Sequence, residues 1–121
     1  MNASSNTDAD ASARTVTQLL DGAIERVHRA ERLLAASDAE GAEQAVDSAL
    51  GIVDVLRTSL DRAVGGDLAV TLDYVYAYAE MRLLEGREQR RGESYAEAAR
   101  LLDTIAAGWR AMPSRSIAEA A

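Results

Sequence analysis

The chain runs 112 residues before it meets its only proline, Pro113. Along that stretch apolar residues return every three or four positions, not every second one. A proline inside a helix removes a hydrogen bond and collides with the preceding turn. Its absence, joined to a 3.6-residue period, makes helix the expected state of nearly the whole chain. With 121 residues, 48% of them hydrophobic, the chain has material for one core and not for two.

Four segments carry the pattern. Val16, Leu19, Ala23, Val27, Ala30 and Leu34 make a first stripe, widened by Leu20, Ile24 and Leu33. Thr15-Val16-Thr17-Gln18 reads as a capping box, so helix 1 is expected to begin near Ser12 or Thr15. Ser37-Asp38-Ala39-Glu40 is a second box, followed by Ala42, Val46, Ala49, Val53, Leu56, Leu60 and Ala63 on helix 2. Gly65-Gly66 ends that helix and Asp67 is expected to cap the next. Helix 3 is expected over 68–87. After a loop at 88–93, Ser94-Tyr95-Ala96-Glu97 reads as a third box opening helix 4, which Met112-Pro113 stops. Helices of this length joined by short turns predict an all-α fold, an up-down antiparallel four-helix bundle over 14–112. A disordered polar tail is expected over 1–13 and a second tail over 113–121.

Composition excludes several functions. The formal net charge is −7 and all 13 basic residues are Arg, scattered along the helices, which argues against a nucleic-acid partner. Cysteine is absent, and with it disulfides, thiol chemistry and thiolate metal sites. Residues 1–13 are polar and acidic, neither a secretory signal nor an anchor, and no later segment approaches the roughly 20 apolar residues of a membrane span. The expected location is cytoplasmic, without membrane insertion.

No catalytic residue is expected: the chain offers one His and neither Cys nor Lys, too few groups for nucleophilic or acid/base chemistry. Glu25-Arg26-Val27-His28 matches the Glu-x-x-His pattern of di-iron helices, but such a site needs a second copy that the chain lacks. His28 is followed by Arg29, Ala30 and Glu31, not by the small pair usual beside the His of helical phosphotransfer domains. It reads as a boundary or surface residue, and neither metal nor cofactor is expected.

Helix 3 is apolar on two sides. Leu68, Leu72, Val75, Tyr76, Ala79 and Leu83 share one face, and Val70, Tyr74, Ala77, Tyr78, Met81 and Leu84 cover the other. One face must pack into the bundle. The other is explained by a wide-faced central helix, by a homodimer seam or by a partner's helix. Burying such side chains is worth about 1.5–3 kcal/mol each, enough for a contiguous patch to hold a partner. Leu50 and Val55 lie off the main stripe of helix 2 and are candidates for a second wall.

Several of these residues together resemble the flagellin-specific secretion chaperone family, FliS. Leu19-Leu20-Asp21-Gly22-Ala23-Ile24 is similar to the family's Leu-aromatic-Asp-Gly-Ala-Ile in its first helix. Gly65-Gly66-Asp67-Leu68 resembles its turn into the third main helix. Tyr76-Ala77-Tyr78, then Arg82-Leu83-Leu84, resembles its Tyr-Asp-Tyr and Arg-Arg-Leu-Leu region, and Leu101-Leu102 through Ile105 to Trp109 its closing Leu-Leu and Trp. The anchors keep the family's order over 19–112. Leu20 stands where an aromatic is usual, Ala77 replaces the Asp between the two Tyr, and Glu85-Gly86-Arg87 replaces an Asn-containing end.

The resemblance implies a non-enzymatic helical protein that binds the C-terminal segment of flagellin, preventing premature polymerisation and keeping it competent for type III export. It also implies a role for the segment ahead of helix 1, over the groove or at the flagellar export gate, although 1–13 here carries no aromatic residue and no Pro. The candidate partner-binding set is Leu50, Val55, Val70, Tyr74, Tyr76, Ala77, Tyr78, Met81 and Leu84. The alternative is a homodimeric bundle serving as adaptor for a different partner.

Overall fold

The computed structural model describes the backbone of residues 2–60 and 65–111, with side chains over 13–60 and 65–111. Among the described residues four helices follow in order: α1 (Asn2–Ala35), α2 (Ala39–Thr58), α3 (Gly66–Gln89) and α4 (Gly92–Ala111). The expected stop at Met112-Pro113 and the tail over 113–121 lie outside the described residues.

Several helix ends differ from the sequence reading. The backbone is helical from Asn2, ahead of the start expected at Ser12 or Thr15 and through the segment expected to be disordered. No Gly or Pro stands between Asn2 and Val16, and Ala3, Ala9, Ala11 and Ala13 favour continuation. Thr15 therefore lies inside α1.

The cap of α2 is Asp38, not Ser37: its carboxylate accepts the Gly41 N–H at 2.9 Å. Ser37 instead takes the left-handed position that closes α1, with φ 65°. A Cβ on Gly41 would lie 2.5 Å from Asp38 Oδ2, so the glycine makes room for the cap. At α3 the cap position is Gly65, without a side-chain bond, followed by Gly66 at φ 66°. Asp67 sits in the first turn, where its charge meets the helix dipole rather than capping.

The loop expected at 88–93 shrinks to Arg90 and Arg91. Left-handed Arg90 (φ 54°) ends α3, and the Arg91 N–H donates to Gly86 O at 3.0 Å. Ser94 is buried inside α4, so the third box is not a cap. Its Glu97 points across to α3.

The helices form a ring in which α1 touches α2 and α4, and α3 touches α4 and α2. Every neighbouring pair is antiparallel. Arg26 reaches Ser48 between α1 and α2, Arg57 reaches Asp73 between α2 and α3, and Tyr78 reaches Glu97 between α3 and α4. Arg110 pairs with Asp21 to close the ring.

Inside, Ala23, Ala30, Ala42, Ala49, Ala98 and Ala106 let backbones approach, while Leu20, Val46, Val53, Leu56, Leu102, Tyr95 and Trp109 fill the volume. Leu20 is fully buried. The α2–α3 seam is the thinnest of the four. α3 contributes only Tyr76, Ala79, Leu83 and Gly86 as buried residues.

Gly86 sets how α3 sits. A Cβ there would come within 2.7 Å of two atoms of the Tyr95 ring and 3.1 Å of Arg91 O. No side chain fits, and the ring lies directly on the α3 backbone. Above it, the Tyr76 hydroxyl is turned toward the Trp109 indole N–H without completing a hydrogen bond. Burial pushes the Tyr76 phenol up to about 12, with the indole N–H pulling the other way.

Three outcomes are expected. Gly86→Ala should lower the unfolding midpoint, because an overpacking cost of about 1–3 kcal/mol outweighs roughly 1 kcal/mol of helix propensity. Gly51→Ala, with nothing within 4 Å of its Cβ, should raise it. In alkali, the Tyr76 phenol binds its proton more tightly when folded. Its contribution is complete below the unfolded pKa near 10 and is lost as pH rises through about 12. Denaturant titrations should show about 2–3 kcal/mol of stability disappearing across that window, with a shallower fall in Tyr76→Phe.

Candidate partner-binding face

Inward burial of Tyr76, Ala79, Leu83 and Gly86 turns the opposite side of α3 straight out to solvent. Val70 is 71% exposed, Tyr74 73%, Met81 51% and Leu84 41%, with Ala77 partly buried between them. Their spacing of four, three, four and three residues keeps all five within about 80° of one another on the helix. That alternation is the 3.5-residue repeat by which one helix meets another along a seam.

The stripe has polar margins on both sides, as docking surfaces commonly do. Toward α2, Arg57 donates to Asp73 at 2.8 Å and to Glu80 at 3.1 Å. The hydrogen bond from Arg57 holds the Asp73 carboxyl below its usual range. Toward α4, the Tyr78 hydroxyl donates to Glu97 at 3.0 Å, and Arg82 bridges Glu97 and Glu85. The Glu97 hydrogen bond and charge raise the Tyr78 phenol. Tyr78 thus borders the stripe with its hydroxyl committed.

Of the nine candidate residues, the structure unites Val70, Tyr74, Ala77, Met81 and Leu84, with Tyr78 at the edge. Tyr76 is fully buried in the core and has no surface to offer a partner; one residue's step on a helix is about 100°, so it cannot share the face of Ala77. Leu50 is partly buried against the core. Val55 is 48% exposed on the outer side of α2, about 160° from the buried Val53. Val55 lies on the side of α2 away from α3, whereas Leu50 shares the α2 face of Asp47 and Arg57, whose side chains pair with α3.

Sequence reasoning missed an apolar recess of about 140 Å³ lined by Leu68, Leu72, Ile105, Gly108 and Trp109. Leu68 is 36% exposed there. The available signal was Gly108, a helical glycine beside the only Trp. His28 is exposed and paired with Glu31 at 2.9 Å. Among the described residues no group of three or more His, Asp or Glu is placed to hold a metal, and no helix is long and apolar enough to cross a membrane.

A family model described as flagellar protein FliS matches residues 2–116. The chain belongs to the FliS family. Flagellar secretion chaperone FliS of Salmonella typhimurium is 31% identical to it over 96 residues, covering 78% of this chain and 71% of the relative. Flagellar secretion chaperone FliSB of Pseudomonas aeruginosa is 31% identical over 96 residues, covering 79% and 76%. A chaperone role in flagellar secretion goes with membership of FliS, which is a family of chaperones and not of enzymes. In this FliS chain, the outer α3 stripe holds Val70, Tyr74, Met81 and Leu84, four of the six large hydrophobic residues that are exposed among the described residues.

The two neighbouring tyrosines should separate surface from core. Tyr74→Ala is expected to leave the unfolding free energy within about 0.5 kcal/mol. Tyr76→Ala should cost about 3–5 kcal/mol. Paired chemical denaturation curves measure both.

Proposed function

We propose that this protein is a cytoplasmic export chaperone that holds the C-terminal segment of flagellin along the outer face of α3, blocking premature polymerisation and keeping the client competent for secretion. The observation that carries the reading is the exposed heptad of Val70, Tyr74, Ala77, Met81 and Leu84, on a bundle whose core is already complete without it. An amphipathic client helix laid on such a seam is held by burial of apolar side chains and needs no chemistry. The family membership supports a flagellar client.

Met81 is central in the stripe and half exposed. Met81→Glu places a charge where an apolar helix docks while leaving the core untouched. Calorimetric titration of a flagellin C-terminal peptide should show at least a tenfold loss of affinity, roughly 1.4 kcal/mol or more, with the circular dichroism spectrum and unfolding midpoint unchanged. Equal affinity in the two folded proteins would exclude this face as the client site.

A further inference from the structure

The apolar stripe of α3 is nearly palindromic. Placed antiparallel against a second copy about Ala77, Val70 meets Leu84 and Tyr74 meets Met81, so apolar pattern alone would make it a homodimer seam. The charges around it point the other way. Asp67 and Glu88 occupy the heptad positions that continue the stripe at its two ends. Both are exposed, and neither carboxylate has an ion-pair partner among the described residues. Asp73 and Glu80 line one margin and share the single Arg57; Glu85 lines the other and shares Arg82 with Glu97. Arg87, the remaining cation of this span, is committed to Asp47 of α2. In the antiparallel self-pairing Asp67 would face the copy's Glu88, and Asp73 the copy's Glu80. In a parallel pairing Glu80 would approach the copy's Glu85. Like charges at such flanking positions oppose association in either direction.

We infer that the α3 face selects against a second copy of this chain and for an amphipathic helix whose apolar heptad is flanked by Lys or Arg. This rests on the reading of the face as a helix-docking site and adds the chemistry of its occupant. Basic flanks satisfy the free Asp67 and Glu88 and the excess carboxylate along both margins, whereas acidic flanks add repulsion at each of them. The same arrangement keeps an exposed apolar seam from closing on itself.

The test uses the full-length protein and two synthetic helical peptides with Leu at the heptad core positions, one carrying Lys at the flanking positions and the other Glu. By calorimetry at low salt the Lys peptide should bind roughly tenfold or more tightly than the Glu peptide, and the gap should narrow at high salt as screening sets in. In the double variant Asp67→Lys, Glu88→Lys, which alters only exposed side chains, the preference should shrink. Met81→Glu should weaken the Lys peptide. Equal binding of both peptides by wild type would overturn the charge selection and leave the docking face standing. Failure of both to bind, or Lys-peptide affinity unchanged by Met81→Glu, would overturn the docking face and the inference with it.

Discussion

The Tyr95 ring lies against the backbone of α3 at Gly86, closer than any side chain would allow, and the functional surface depends on that contact. A helix has one rotation at which its residue 86 can meet the ring. At that rotation Leu83, Ala79 and Tyr76 also turn inward, one after another at three- and four-residue steps. The remaining arc, from Val70 to Leu84, has nowhere to go but outward. The same point is pinned along the chain, because Gly86 O also receives the Arg91 N–H that closes the helix on left-handed Arg90. The end of α3, its rotation and its distance from α4 are thus fixed within one turn.

Much of this was legible in the residues because helical period is strict. Val16, Ala23, Val27 and Ala30 on α1 and Ala42, Val46, Ala49, Val53 and Leu56 on α2 are buried as their spacing predicts. The double-sided character of α3 was visible for the same reason. Helix ends were less legible, since Ser-x-x-Glu is favourable at a cap and harmless one turn inside a helix. Ser94 and Glu97 belong to the second case: the helix has already begun at Gly92, and Glu97 serves Tyr78 and Arg82 instead. Tyr76 sits in a motif whose neighbours Ala77 and Tyr78 are partly exposed, while it is itself fully buried. Leu50 and Val55 both lie off the main stripe of α2, and helix angle alone cannot tell which neighbour such a residue approaches.

The ion pairs are better understood as orientation than as stability. Arg57, Asp73 and Glu80 are all partly solvent-exposed, as are Arg82, Glu85 and Glu97, and exposed pairs are worth about 0–1 kcal/mol. What they do is place fixed polar walls on either side of the apolar seam. Arg57 ties the thin α2–α3 contact at two levels, and Arg82 with Tyr78 ties α3 to α4.

An unpartnered apolar helix face is ordinarily a liability, because burying it in any contact is favourable and a second copy is always at hand. Three features here limit that choice without covering the face. The seam is narrow, confined to one arc of α3, with Leu50 only partly exposed and Val55 set apart on α2. Its polar margins stand at fixed places, so an occupant has to be a single helix aligned with α3 rather than a sheet or a loop. Its ends are capped by the free carboxylates of Asp67 and Glu88, which an antiparallel self-pairing brings onto one another. Shape therefore admits a helix, and charge decides which helix. A surface arranged this way remains available at concentrations where an uncharged seam of the same apolar content would already be occupied by its own kind.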